Sequence, residues 1–210
     1  MTYILYDRPG WGSVMVETQL VWYGLPFERV PVANFYQDDA ARAEFAKINP
    51  AGQLPTLILP DKRVMTESAA ITLYLADVAK SDALVPSPDA PERADFLRWL
   101  IFLVVQVYAP FVVADRAEKF VPDAAAAKAL AGNVQAHREN MWRIVEGVAG
   151  SPWFLGARFT ALDIFVCAMR NWTPRRPWFA ANAPKLAAIA AKTEAVPHLA
   201  PIWARNFPQT

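Results

Sequence analysis

A small α/β domain followed by an all-helical domain is the fold class this 210-residue sequence predicts. Three observations predict it. Before residue 80, short β-branched and aromatic runs alternate with helical segments. Lys80 to Pro91 (KSDALVPSPDAP) is rich in Pro and Asp, as a linker is. Beyond it no convincing strand occurs. The domains read as 1–79 and 92–210, with 80–91 as linker.

The elements follow in order. Residues 3–6 (YILY) form a strand, and Arg8-Pro9-Gly10-Trp11-Gly12 is a loop punctuated by Gly and Pro. Ser13 is an N-cap type for a helix from Val14 to Tyr23, and Gly24 suits the left-handed position after it. Phe27 to Val32 is a second strand, parallel to the first if the helix is a crossover. Asp38 and Asp39 open a helix to about Lys47. Strands at Pro55–Leu59 and Val64–Met65 flank a Pro60-Asp61 turn, and a helix runs from Glu67 to about Ala79. The second domain holds helices at Glu92–Val113 with a kink at Pro110, Asp123–Gly147, Thr160–Trp172, Pro184–Thr193 and His198–Asn206.

Composition narrows the function classes. The chain is 54% hydrophobic with 8 Trp, enough for substantial cores. The apolar run Trp99 to Ala114 is interrupted by Gln106 and Pro110 and falls short of the roughly 20 residues of a membrane span. A buried helix or a dimer interface accounts for it better. A net charge of +1 gives no electrostatic case for nucleic acid or an anionic membrane. One Cys excludes a disulfide framework, and MTYILYDRPG lacks the pattern of a secretory signal. The expected compartment is reduced and cytoplasmic.

The most informative stretch is Asn49 to Asp77, NPAGQLPTLILPDKRVMTESAAITLYLAD. Pro55 cannot donate to a sheet ladder, so it stands at a strand entry, where it is a candidate cis bond exposing the backbone groups of Leu54. Thr66-Glu67-Ser68 opens a helix whose unbonded amides and positive end suit a carboxylate, while Glu67 suits an ammonium. Together these grip an extended, peptide-like ligand with a free carboxylate and a free amine. The pattern resembles the thioredoxin-like glutathione-binding domain of the cytosolic glutathione transferases.

That resemblance implies glutathione as co-substrate. The backbone of Leu54, before the cis-proline Pro55, would pair with the cysteinyl part of glutathione, and Glu67 and Ser68 would hold the γ-glutamyl ammonium and carboxylate. Gln53 is placed to reach the glycyl carboxylate; Asn34 and Gln37 are vaguer candidates. Pro9 to Glu28 is similar to the opening of the bacterial beta-type transferases. Aligned without a gap, the family Cys falls on Gly12, the Ser beside it on Ser13, and the family Tyr on Asp7. The resemblance therefore leaves a Ser-type mechanism.

Ser13 has two readings. It either caps its helix, which spacing alone favours, or stabilises a bound thiolate. A free thiol has a pKa of about 8.5, and a charged hydrogen bond of about 1.5–3 kcal/mol lowers it by about 1–2 units. The family also implies a homodimer and a hydrophobic electrophilic acceptor between the domains. Trp11 and Tyr108 are the best acceptor candidates, with Trp172, Arg175 and Arg176 as another wall. Thr160 and Asp163 form a structural capping box that extends the resemblance into the second half. His137 and His198 read as helix-surface residues, Cys167 as a small buried hydrophobe, and no metal is expected. The implied activity is conjugation of glutathione thiolate. A glutathione-dependent isomerase or peroxidase uses the same apparatus, and the rival from another class is a non-catalytic scaffold for partners or ligands.

Overall fold

A computed structural model describes residues 2–208. The chain divides into two compact units. One comprises the stretch up to Val85 together with the stretch from Lys192 onward; the other is Pro86–Ala191. The sequence reading had given the whole region after the linker to the helical domain.

In the first unit, four strands form one sheet in the order β2-β1-β3-β4: β1 Tyr3–Asp7, β2 Phe27–Pro31, β3 Thr56–Ile58 and β4 Val64–Met65. β1 and β2 are parallel, joined through helix α1 (Ser13–Trp22), as a crossover requires. β3 runs antiparallel to β1, with Leu5 opposite Leu57, and β4 closes the hairpin. Alternation along β1 sends Tyr3 and Leu5 into a core with Val16, Leu20, Leu57, Leu59, Ile71 and Leu75. Helix α2 covers Asp39–Ala46, capped by the Asp38 carboxylate, which accepts from the Ala41 amide at 3.0 Å. Helix α3 covers Ser68–Ala79.

α1 is buried from Ser13 to Leu20 without a break, polar residues included. Most of its polar side-chain groups bond internally, Gln19 Oε1 excepted. The Gln19 amide donates to the Thr72 hydroxyl of α3 at 3.0 Å. The carboxylate of Glu17 reaches helix α10 (Ala200–Asn206), which packs on α1 in the same unit.

The second unit holds helix α4 (Arg93–Phe102), a π-helical turn (Leu103–Tyr108), α5 (Phe111–Asp115), a 3₁₀ turn (Ala117–Lys119), α6 (Ala124–Val148), α7 (Ala161–Met169), α8 (Arg176–Asn182) and α9 (Pro184–Glu194), the last residues of α9 counting with the first unit. α8 was not anticipated. The expected kink at Pro110 is instead a wider turn just before it, where the Ala109 amide bonds the Val104 carbonyl at 2.7 Å. Pro110 then starts α5, so Arg93–Asp115 runs as 23 helical residues. By length and composition this stretch is long and apolar enough to cross a membrane, contrary to the shorter run read from the sequence.

α7 is buried over its whole length, with Cys167 among its apolar neighbours. Its start is the expected capping box: Asp163 accepts from the Thr160 amide at 2.7 Å and from the Phe154 amide at 2.8 Å. Burial pushes the Asp163 carboxyl up to about 6, against those hydrogen bonds.

Candidate functional site

The loop after β2 and the turn before β3 build one wall of the site. Asn49 is 4% exposed, and its side-chain amide donates to the Gln53 carbonyl at 2.9 Å and to the Thr56 hydroxyl at 3.0 Å. The Thr56 hydroxyl donates to the same carbonyl at 2.9 Å. Gly52, at φ +58, supplies the left-handed residue this turn needs. The turn delivers the cis Leu54-Pro55 bond to the mouth of β3. Leu54 is buried against Phe35 and Phe45, with Trp11, Tyr36 and Tyr6 packed on the same cluster. Asn49, which holds this turn, was missed as a positioning residue. Its signal was the Asn-Pro pair before the Gly.

Trp11 lies edge-on to Phe35 with ring centroids 4.9 Å apart and against Tyr36 at 4.8 Å. The Arg8 guanidinium sits 5.5 Å from its ring centroid and donates to the Val32 carbonyl at 3.2 Å. Gln53 is half-buried, and its side-chain amide has no hydrogen bond among the described residues. Asn34 and Gln37 bond each other at 2.8 Å.

At the start of α3 stands Glu67, exposed, with φ +65. A bulky side chain in that region costs of order 1–3 kcal/mol and persists where the surroundings enforce it. Ser68, the first helical residue, is 3% exposed, and its hydroxyl has no hydrogen-bond partner among the described residues. Around it lie the first-turn amides that a helix leaves unbonded, at the positive end of its dipole. That leaves the Ser68 hydroxyl able to bond a water or a ligand group at this turn.

Ser13 departs from the expectation. Gly12, not Ser13, occupies the N-cap position of α1. Ser13 is fully buried, and its hydroxyl lies 2.9 Å from Asp7 Oδ1, to which it donates. The Ser13 hydroxyl oxygen in turn accepts from the Arg8 amide at 3.3 Å. A hydroxyl has one proton, and the carboxylate takes it. Ser13 is therefore neither the cap nor a donor aimed outward, and this corrects its expected geometry.

Asp7 and Glu17 are in turn bound from α10. Arg205 pairs with Asp7 Oδ2 at 2.8 Å and with Glu17 Oε2, while Arg29 of β2 holds Glu17 Oε1 at 2.9 Å. Burial opposes the Arg205 charge, but the hydrogen bonds and attraction from Asp7 and Glu17 outweigh it and raise the guanidinium above its ordinary pKa.

Tyr108 belongs to the second unit. Its ring stacks on Trp172 at 5.2 Å and meets Phe111 edge-on at 6.4 Å. Arg138, buried, donates to the Val107 carbonyl at 3.0 Å and the Thr173 carbonyl at 2.9 Å, with its guanidinium 3.2 Å from the Phe111 centroid. Burial lowers its pKa to about 10, against the attraction of Asp115 and Glu139. Arg176 bonds Asn171 at 2.7 Å. His137 is exposed on α6, and the exposed His198 lies 4.8 Å from the Trp22 ring. Among the described residues no cluster of His, Cys, Asp and Glu has the makings of a metal site.

Comparison with known proteins decides the family. The glutathione S-transferase N-terminal domain family matches residues 14–78. Along almost its whole length the chain is similar to the uncharacterized GST-like protein YncG of Escherichia coli (strain K12), with 35% identity over 203 residues, 96% of this chain and 97% of the relative. The chain belongs to the glutathione S-transferase family. Among solved structures, it resembles the glutathione transferase homolog from Sulfitobacter with bound glutathione, at TM-score 0.81 and 22% identity over 96% of both chains. A sphingomonad glutathione S-transferase complexed with glutathione matches at TM-score 0.68 and 27% identity, over 98% of this chain and 100% of the other. The transferase fold, a thioredoxin-like sheet domain plus a helical region, is thus the fold of this chain.

Proposed function

We propose that this transferase-family chain binds glutathione and delivers its thiolate to a hydrophobic electrophilic small molecule. The observation that carries the reading is Ser68, a buried hydroxyl without a partner among the described residues at the first turn of α3, beside exposed Glu67 at positive φ. A γ-glutamyl carboxylate completes the Ser68 hydroxyl and the first-turn amides, and its ammonium pairs with Glu67. The turn held by Asn49 presents Leu54 and Pro55 to the cysteinyl part, and Gln53 meets the glycyl carboxylate. Glutathione complexes of related solved structures support the ligand.

Ser13 donates to Asp7, so its role in the chemistry is indirect: it fixes the first turn of α1, whose amides and dipole favour the thiolate over the thiol. The sulfur loses its proton to solvent and attacks the electrophilic carbon. The leaving group departs with its bonding pair, or the carbon takes a proton where the reaction is an addition. Trp11 is proposed to contact the acceptor, the protein working in the cytoplasm as a homodimer.

A second reading, non-catalytic binding of ligand or partner, draws on the same geometry: Gly12 and Asp7 replace the family Cys and Tyr, and the remaining hydroxyl is turned to Asp7. Single-turnover assays with an activated aryl halide separate the two. Glutathione-dependent product formation supports transfer; tight glutathione binding without product supports the scaffold.

A further inference from the structure

Two carboxylates lie behind the first turn of α1. Asp7 is 4% exposed and bonded to Ser13; Glu17 is 2% exposed and sits one helical turn further on. Unpaired, either would oppose an anion held at that turn, because like charges in a low-dielectric surround disfavour ionisation strongly. Neither is unpaired. One guanidinium, Arg205, bridges both: Nη1 to Asp7 Oδ2 at 2.8 Å, and Nη2 to Glu17 Oε2. Arg29 takes the other Glu17 oxygen at 2.9 Å, its side chain being 45% exposed. Asn206, next to Arg205, donates to Glu17 Oε2 at 3.2 Å and accepts the Gly10 amide at 3.0 Å. The groups facing this turn are thus Asp7 of β1, Arg8 and Gly10 of the loop, Glu17 of α1, Arg29 of β2, and Arg205 and Asn206 of α10.

We infer that Arg205 is a positioning residue for the thiol chemistry: it neutralises Asp7 and Glu17 together and, by holding Asp7, sets where the Ser13 hydroxyl points. This rests on the glutathione reading above. Asp7 bonds Ser13 at the first turn of α1, where the reading above puts the thiolate, so the chain carries an anion close to the reacting sulfur and needs a compensating cation. Arg205 supplies it from a helix 198 residues away in sequence. A Lys satisfies one carboxylate at a time; the planar fork of Arg satisfies both.

The test is the pH dependence of the ultraviolet thiolate absorbance of bound glutathione, with affinity measured in parallel at low pH. Arg205→Gln should raise the bound thiol's pKa by about 1 unit, roughly tenfold less thiolate on the acidic limb, through the uncompensated carboxylates. Asp7→Asn, nearly isosteric and able to accept from Ser13, should lower it. The double variant should return close to wild type, and Arg205→Lys should fall between wild type and Arg205→Gln. Opposite shifts for the two single variants are not what mere loosening produces. Wild-type pKa in Arg205→Gln, or a double variant shifted as far as Arg205→Gln alone, overturns the inference while glutathione binding stands. If Arg205→Gln does not fold, an unchanged pKa in Asp7→Asn overturns it. A wild-type protein that binds no glutathione overturns the functional reading itself and this inference with it.

Discussion

The side-chain oxygen of Asn206 accepts a hydrogen bond from the backbone amide of Gly10 at 3.0 Å, so the last helix of the chain closes on the loop between β1 and α1. Asn206 is 4% exposed and also donates to the Ile202 carbonyl at 2.9 Å. The loop therefore owes its shape to a residue far from it in sequence.

Asn206→Ala removes the partner of a half-buried amide and one donor to Glu17. The expected loss of stability is about 1–3 kcal/mol in a denaturant titration. A change within about 0.5 kcal/mol, as for an ordinary surface position, would show that α10 does not hold the loop.

Ser13→Ala separates a direct contact with the sulfur from a fixed turn. Removing the hydroxyl leaves Asp7 Oδ1 and the Arg8 amide each short of a partner, for an expected loss of about 1–3 kcal/mol. The bound thiol's pKa should move by less than about half a unit. A rise of about 1–2 units with unchanged stability would mean that Ser13 bonds the sulfur after all.

The contrast with the sequence reading is instructive at this position. Ser13 at a helix start has a local pattern, and that pattern indicated a cap. Its actual partner, Asp7, lies on the preceding strand, and the Arg205 that holds Asp7 is 198 residues away. No periodicity encodes such a pair. The strands were legible because their causes are local: Pro55 cannot pair within a sheet, and Tyr3 and Leu5 alternate inward. The start of α3 was legible to within a residue, yet the unpaired state of the Ser68 hydroxyl depends on packing around it. The turn before Pro110 escaped because a proline was read as a kink, whereas its effect is a π-helical step ahead of it. α8 escaped because seven residues carry too little periodicity.

Asp163 gives a pH signature. Its folded-state pKa is raised from 3.8 to about 6, chiefly by burial, so the fold favours the protonated form. Its contribution is full below about pH 4, falls as pH rises to about 6, and is flat above. The stability of wild type relative to Asp163→Asn should thus fall by about 2–3 kcal/mol across that window. A difference that grows with pH would show that the hydrogen bonds from Phe154 and Thr160 outweigh desolvation.

The exposed apolar residues of the long helical run, Ile101 at 49% and Val105 at 52% exposure, are the surface that a second copy of this chain would cover. Sedimentation at micromolar concentration should give twice the 23.4 kDa chain mass. Charged substitution at both positions should return the monomer; a monomeric wild type would refute the dimer.

The claim on which the rest depends is that the first turn of α3 holds the γ-glutamyl end of glutathione. Titration calorimetry of the wild-type protein and of Ser68→Ala tests it most directly. The account predicts binding by the wild type, and for Ser68→Ala a loss of about 1.5–3 kcal/mol, roughly tenfold or more in Kd, with the fold intact. Undetectable binding by the wild type, or equal affinity in both proteins, would contradict it.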